Sequence, residues 1–197
     1  MDFETLREHF EKKGYIVSRF PTAAAAAQHL ADELAGMTVG IGGSMSVDEA
    51  GLYDRLKDRC TVHWHLLDKT DEVMLAACEA PVYITSANAV SEDGCIVNID
   101  GRGNRLAGTL MKKDRVIFLV GANKIAPTLN DAIERARNVA APKNAARLGC
   151  KTPCAVTGRC HDCASPDRIC SALLVFWQKP FWAEQMELVV VDEPLGY

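Results

Sequence analysis

The sequence has no apolar run that approaches the roughly 20 residues of a membrane-spanning helix. Its longest apolar stretches, such as VIFLVGA at 116–122, have the length of a strand. The N-terminal segment MDFETLREHFEKKGY is charged and amphipathic and lacks the apolar centre of a secretory signal. A basic block is also missing, with 22 lysines and arginines against 26 acidic residues, whereas nucleic-acid binders usually carry a basic face. We therefore predict a cytoplasmic protein with no membrane span and no nucleic-acid partner.

Cysteine, by contrast, is abundant, with eight residues in a chain of 197. A chain of this length that is 48% hydrophobic can bury a sizeable core without cross-links. In a reducing compartment, clustered cysteines indicate metal or redox chemistry more often than disulfides. The length suits one domain, and we predict a single domain over residues 1–197 with a cysteine-rich loop at 150–170.

Four cysteines of this loop follow the spacing C-x5-C-x2-C-x6-C: Cys154, Cys160, Cys163 and Cys170. Thiolates bind both zinc and iron–sulfur clusters. Because the spacing matches neither a bacterial ferredoxin nor a zinc-finger pair, the metal is left open, with a 4Fe-4S cluster favoured over zinc. His161 is an alternative ligand, and Cys150 is either a spare thiol or the fourth ligand. The alternative is a set of free or incidentally paired thiols.

Helical and strand-like patterns alternate along the chain. Apolar strands in such an alternation predict a parallel sheet covered by helices on both faces, which is a Rossmann-like α/β fold. The segment CIVNIDGRGNRLAG, at 95–108, breaks the alternation and predicts an inserted β-hairpin around a glycine-rich turn. The predicted helices cover 3–13, 23–34, 46–58, 70–79 and 127–140. The predicted strands cover 15–20, 37–42, 61–67, 80–86, 115–123, 173–179 and 186–193.

The segment VGIGGSMSVDEAGL, at 39–52, places glycines and serines where a strand passes into a helix. Glycine allows the backbone to approach an anion, and ligands of open α/β sheets bind at strand carboxyl ends. The loop lacks the Lys-Ser/Thr pair of a Walker sequence and the third spaced glycine of a dinucleotide fingerprint. The alternative is a tight turn in which Ser46 caps the helix and Glu49 completes a capping box. The candidate ligand residues are Gly42, Gly43, Ser44 and Ser46.

Two later segments are expected at the same edge of the sheet. SANAVSEDGCIVNIDGRGNRLAG, at 86–108, is dense in side chains that hydrogen-bond or exchange protons, although such residues also simply build turns. VGANKI, at 120–125, ends the strongest predicted strand with a lysine that suits an anionic ligand. His63 and His65 alternate across a strand, and we interpret them as structural. The candidates from these segments are Asn88, Glu92, Asp93, Asn98, Asp100, Asn104, Arg105, Asn123 and Lys124.

Together, GIGGSMSVDEAGL, ITSANAVSEDGCIVNIDGRGNRLAG, VGANKIAPTLNDAIERARNVAAPKNAARL and VVVDEPLGY resemble the LUD domain, the lactate utilization protein C family. The resemblance runs from about residue 3 to 197. It implies a fold similar to the sugar-phosphate isomerase and CoA-transferase superfamily. It also implies a link to the oxidation of L-lactate to pyruvate beside iron–sulfur partner proteins, and a ligand site at the residues named above together with Gly94, Gly101 and Gly103. Many members lack the four-cysteine loop. The members that carry this loop form a stand-alone subgroup.

Three functions remain open at this point. The first is a component of the oxidation of L-lactate or a related 2-hydroxy acid, which binds a small anionic metabolite and holds a metal centre in the cysteine loop. The second is a metabolite-binding or regulatory module with a structural zinc. The third is an isomerase or CoA-transferase-like enzyme in which Glu49 is the catalytic base or nucleophile. A homodimer is a further expectation, since the apolar C-terminal segment with Trp177 and Trp182 requires cover.

Overall fold

The computed structural model describes residues 2–197 and is built around a six-stranded parallel sheet of order β1-β10-β7-β4-β2-β3. Helices cover both faces of this sheet, which confirms the predicted Rossmann-like α/β class. The strands are β1 (Ile16–Phe20), β2 (Thr38–Ile41), β3 (Thr61–Trp64), β4 (Val82–Thr85), β5 (Ala89–Ser91), β6 (Cys95–Asp100), β7 (Lys113–Gly121), β8 (Ile125–Ala126), β9 (Ala172–Phe176) and β10 (Ala183–Val191). The α-helices are α1 (Phe3–Lys12), α2 (Ala23–Glu33), α3 (Met45–Glu49), α4 (Leu52–Leu56), α5 (Asp71–Glu79), α6 (Asn104–Leu110), α7 (Leu129–Arg135), α8 (Ala141–Arg147) and α9 (Pro153–Thr157).

The longest strands of the sheet are β7 and β10, which lie side by side and have apolar runs that are buried on both faces. One face packs on α2 and the short helices after β2, in a core that includes Leu30, Val47 and Leu52. The other face packs on α1 through Leu6 and Phe10. Because both faces are covered, the strands are continuously hydrophobic rather than alternating.

A second sheet of order β8-β5-β6-β9 carries the inserted hairpin, but not at the predicted position. The hairpin joins β5 to β6, and its turn includes Gly94 at φ +85°. The predicted second arm is instead helix α6. The reason is Asp100, whose carboxylate accepts hydrogen bonds from the backbone N–H groups of Arg102, Gly103 and Arg105 and thereby starts the helix.

Two predicted helices also differ from the structure. The helix predicted over 46–58 breaks at Gly51, which lies at φ +63°, into α3 and α4. The helix predicted over 127–140 begins at Leu129 and continues as one π-helical segment, Ala136–Ala140, followed by α8. In the part of the chain that the structure describes, no helix is long and apolar enough to cross a membrane.

Candidate functional site

A cavity of about 420 Å³ lies at the carboxyl ends of four adjacent strands of the parallel sheet, and we call it the strand-end cavity. Strand β2 leads into Gly43, Ser44 and Ser46, β3 into His65, β4 into Ser86, and β7 into Lys124. Carboxyl ends of neighbouring parallel strands meet at one edge, which is why residues distant in sequence converge here. Helix α8, the cysteine loop (residues 150–170) and the C-terminal residue Tyr197 complete the lining.

Lys124 is the deepest cation of this cavity and is only 4% exposed. Its Nζ donates to Ser46 Oγ at 2.7 Å, to Ser86 Oγ at 2.9 Å and to the Ala87 carbonyl at 3.1 Å. Among residues 2–197, no carboxylate lies within ion-pair distance of this ammonium group. Burial, followed by the charges of Arg135 and Arg105, lowers the pKa of Lys124 from its ordinary value of 10.5 to about 7, although the charge of Glu49 acts in the opposite direction.

The two serine hydroxyls that contact Lys124 are themselves oriented. Ser46 Oγ donates to the Leu195 carbonyl at 3.2 Å, and Ser86 Oγ donates to the Ala87 carbonyl at 3.4 Å. Each hydroxyl proton is therefore directed away from the ammonium, and an oxygen lone pair is directed toward it. The alternative interpretation of this loop, in which Ser46 caps the helix, is wrong. The cap is Ser44, whose Oγ accepts from the Val47 N–H at 3.3 Å.

Arg105 ties together the two ends of the β5–β6 hairpin rather than facing the cavity as a free charge. Its guanidinium donates to Asn98 Oδ1 at 3.5 Å, to Asn88 Oδ1 at 3.3 Å and to the Ile99 carbonyl, and Nε lies 3.4 Å from Asp100. The amide of Asn88 also accepts from the Ile99 N–H at 2.7 Å. The three polar side chains around Arg105 therefore form one satisfied network, which is rigid because every member has a partner.

The predicted ligand residues divide into two groups. Those that line the cavity are Gly43, Ser44, Ser46, Asn88, Asp100, Asn104, Arg105 and Lys124. Those outside the lining are Gly42, Glu92, Asp93, Asn98, Asn123 and the predicted catalytic residue Glu49. A side chain at Gly42 would meet the Tyr83 hydroxyl at 2.7 Å, so this glycine serves packing.

Glu92 and Asp93 form the turn of the β5–β6 hairpin and face helix α1. The Glu92 carbonyl contacts His9 Nδ1, and the Asp93 carbonyl accepts from Lys13 Nζ at 2.6 Å. The polar composition of this segment is typical of a ligand site, but the turn of the hairpin lies away from the carboxyl ends of the parallel strands. These two residues therefore build structure at a distance from the cavity.

Glu49 and Asn123 both hold the C-terminal residues against the sheet. A Glu49 carboxylate oxygen accepts from the Gly196 N–H at 2.6 Å, and Asn123 Oδ1 accepts from the Leu195 N–H at 3.0 Å. Gly196 has φ +58°, and a side chain there would lie 2.6 Å from Ser46 Oγ. The backbone of these last residues thus covers the Lys124–Ser46 pair, and Tyr197 reaches the cavity.

Several cavity residues were missed by the sequence predictions. His65, which we interpreted as structural, lines the cavity with a buried Nδ1 that has no hydrogen-bond partner in residues 2–197. Burial, followed by the charge of Arg102, lowers the pKa of His65 below its ordinary value of 6.5. Lys69, Arg102 and Arg147 stand at the exposed rim, and we call them the rim cations. They come from three separate segments, so no local pattern marks them as a group.

The cysteine loop packs on the π-helical segment and on the turn after β6. The Cys160 N–H donates to Asn138 Oδ1 at 3.1 Å, and Arg137 contacts Cys160 Sγ at 3.7 Å. Inside the loop, Arg168 donates to the carbonyls of Cys163 and Cys170 at 2.7 and 3.2 Å. Ile169 of the loop lines the strand-end cavity, so the loop and the cavity share a wall.

The four loop thiols are not gathered around one point in this conformation. Among residues 2–197, no three Cys, His, Asp or Glu side chains converge at distances that would hold a metal ion. Cys160 and Cys170 both line a second cavity of about 320 Å³, together with Arg137 and Arg168. A complete four-thiolate centre would require Cys154 and Cys163 to turn toward this pair, and the metal site stays a prediction.

Comparisons with known proteins agree on the family and on the fold. The sequence profile of the LUD domain matches residues 3–191. A crystal structure of a DUF162 family protein from Deinococcus radiodurans superposes with a TM-score of 0.56 over 96% of both chains, at 15% sequence identity. At that identity the likeness concerns the fold alone. No curated protein matches the sequence.

Proposed function

Because the chain belongs to the LUD domain family, we propose that its strand-end cavity binds a small carboxylic acid of the lactate type. The ligand is a 2-hydroxy acid or the corresponding 2-oxo acid, and the protein is a component of its oxidation. The observation that supports this most directly is the buried ammonium of Lys124, which lines the cavity without a carboxylate partner.

The balance of charge around Lys124 favours an anionic ligand. A buried charge is costly unless an opposite charge or hydrogen bonds compensate it. The three acceptors of Lys124 are neutral, and Arg105 and Arg135 raise the local positive potential. A bound carboxylate supplies the missing opposite charge. The electrostatic attraction then contributes to the free energy of ligand binding, because no carboxylate within residues 2–197 already forms this ion pair.

Neutral groups that line the same cavity favour a hydroxy or oxo acid. Ser86 and Asn88 follow β4, the strand next to β7, and Ser44 and the half-buried ring of His65 follow β2 and β3, the next strands along the sheet. Such a mixture of one charge and several neutral partners fits a carboxylate that carries an oxygen on the adjacent carbon.

The cysteine loop is proposed to hold the redox group of this function, with an iron–sulfur cluster favoured over zinc. Iron–sulfur clusters transfer electrons at potentials set by their surroundings. The shared wall at Ile169 supports a link between the loop and the strand-end cavity, and two guanidinium groups lie beside Cys160 and Cys170 in the second cavity. Since the thiols are not gathered here, no reaction step is assigned to a cluster, and electrons from the acid would pass to iron–sulfur partner proteins.

The test is calorimetric titration with L-lactate, D-lactate and pyruvate at pH 6.5, using the full chain and two variants. Lys124→Met removes the cavity ammonium. Lys112→Met removes an exposed ammonium next to the start of β7, at the opposite end of the same strand. Binding of one of these acids that is lost in Lys124→Met and retained in Lys112→Met supports the proposal. Absence of binding by all three acids, or equal binding in both variants, would contradict it.

A further inference from the structure

The rim cations lack carboxylate partners. Among residues 2–197, no acidic side chain lies within ion-pair distance of Lys69, Arg102 or Arg147. The guanidinium of Arg147 donates only to the neutral amide of Asn144. These three charges therefore keep their capacity to bind an anion from solution.

The concentration of positive charge contrasts with the chain as a whole. The protein carries a formal net charge of -4, yet the described residues lining the cavity include five cationic side chains and one carboxylate. That carboxylate, Asp100, is already engaged by three backbone N–H groups and by Arg105. A cleft lined by one sign of charge concentrates ligands of the opposite sign.

The cavity is also larger than a three-carbon acid requires. Its volume is about 420 Å³. Pockets of roughly 300–1,000 Å³ commonly enclose ligands of drug size. A lactate-like acid bound at Lys124 would leave the rim cations without a partner and much of the cavity filled with water.

We propose that the strand-end cavity takes a carboxylic acid that also carries a phosphate group, with the carboxylate at Lys124 and the phosphate at the rim cations. This inference rests on the proposed function for the carboxylate end. The phosphate part of the inference is supported by the rim cations alone. Arginine suits phosphate because its planar guanidinium donates two parallel hydrogen bonds. Lys69 adds a point charge from the turn before α5.

The test compares two acids that differ only by the phosphate, D-glycerate and 3-phospho-D-glycerate. Both are titrated calorimetrically into the full chain, into the double variant Arg102→Gln/Arg147→Gln and into Arg55→Gln/Arg59→Gln. The last variant removes two exposed arginines that do not line the cavity, so its net charge is the same. It controls for long-range attraction between the acidic ligand and the protein.

We expect 3-phosphoglycerate to bind at least tenfold more tightly than glycerate to the full chain. The ratio should fall to near one in Arg102→Gln/Arg147→Gln and stay high in Arg55→Gln/Arg59→Gln. Equal affinity for the two acids, or a ratio that both double variants preserve, overturns the inference. If glycerate or lactate still binds through Lys124 in that case, the proposed function stands alone. If neither phosphorylated nor unphosphorylated acids bind, both proposals fail.

Discussion

Ser46 Oγ and Lys124 Nζ lie 2.7 Å apart, although 78 residues separate them in the sequence. The contact joins the turn after β2 to the turn after β7, which flank β4 in the parallel sheet. Because the serine is neutral, the contact satisfies a hydrogen bond without neutralising the charge. Among residues 2–197 the pair thus leaves a buried ammonium without a charged partner, and such a charge is costly.

Replacing Lys124 by methionine should remove carboxylate binding and stabilise the free protein. Loss of one member of a buried charge pair costs about 2–5 kcal/mol of binding free energy, which corresponds to at least about 30-fold in affinity. The same change removes an uncompensated buried charge, so the midpoint of thermal unfolding should rise. Calorimetry and thermal denaturation measure the two effects. A variant that loses both binding and stability would indicate a structural role instead.

Carboxylate affinity should fall as pH rises above about 7. The pKa of Lys124 in the free protein is about 7, so the neutral amine predominates above that pH, whereas the ligand carboxylate stays ionised. An anion favours the ammonium, and the affinity should therefore decrease by up to about tenfold per pH unit above pH 7. The pKa of His65 is lowered below 6.5, so its titration lies below this window.

Calorimetric titrations between pH 6 and pH 9 test this dependence. Uptake of protons on binding, detected by repeating the titration in buffers of different ionisation enthalpy, should accompany the loss of affinity. Lys112→Met should show the same profile as the unmodified chain. A flat profile would mean that the ligand does not contact Lys124.

The titration of Lys124 should make the thermal stability of the free protein increase with pH, whereas carboxylate affinity decreases. The pKa of Lys124 is lower in the folded chain than its ordinary value of 10.5, so the unfolded chain binds more protons between pH 7 and pH 10.5. Stability contributed by this group therefore increases as pH rises through that interval. The advantage of Lys124→Met in unfolding free energy should shrink from pH 7 toward pH 10.

The position of Lys124 could be predicted from the sequence, but the residues that surround it could not. A lysine that ends the most apolar strand must lie at the carboxyl edge of a parallel sheet, and this follows from the pattern alone. Ser86 follows the adjacent strand β4, and His65 follows β3, three strands away along the sheet. This strand order is not encoded in any single segment of the sequence. The rim residue Arg147 lies on α8, whose position depends on the π-helical segment. Tertiary packing, not local pattern, assembles these groups.

The error at Glu92 and Asp93 has a different cause. The polar segment 86–108 was expected at the edge of the sheet with a hairpin over 95–108, but the two arms of the hairpin lie within residues 89–100. Since a hairpin turn lies at the far end of its arms, its polar residues point away from the residues that enter and leave it. Residues at the two ends, Asn88 and Asp100, do line the cavity. The hairpin was predicted one element too late in the sequence. Residues predicted to belong to the site therefore lie in the hairpin turn.

Arg115→Met should strongly destabilise the fold. Arg115 on β7 pairs with Glu187 on β10, whose side chain is 3% exposed, and also with Glu33 at 2.7 Å. Removing the arginine leaves a buried carboxylate uncompensated, at a cost of about 3–5 kcal/mol in unfolding free energy. Arg59→Met breaks the exposed pair with Asp32 and should cost at most about 1 kcal/mol. Chemical denaturation measures both, and Arg115→Met/Glu187→Met should recover much of the loss.

Gly101→Ala should weaken ligand binding through the cysteine loop. A side chain at Gly101 would lie 3.0 Å from the backbone of Ile169, which is closer than normal packing allows. The loop must then move outward, and Ile169 is part of the cavity wall. We expect a several-fold loss of carboxylate affinity with little change in global stability, since both residues lie near the surface. Faster proteolysis within 150–170 would report the displaced loop, and unchanged proteolysis and affinity would refute the coupling.

Metal content should depend on the cysteine loop and not on the isolated cysteines. Protein purified without oxygen is expected to contain about four irons per chain if a 4Fe-4S cluster forms, or one zinc if the loop is a structural site. Cys160→Ser should abolish the metal in either case. Cys60→Ser should leave it unchanged, because the Cys60 thiol donates to the Leu34 carbonyl far along the chain from the loop. Metal that survives Cys160→Ser, or an absence of metal from the unmodified chain, would make the loop a polar structure held by Arg168.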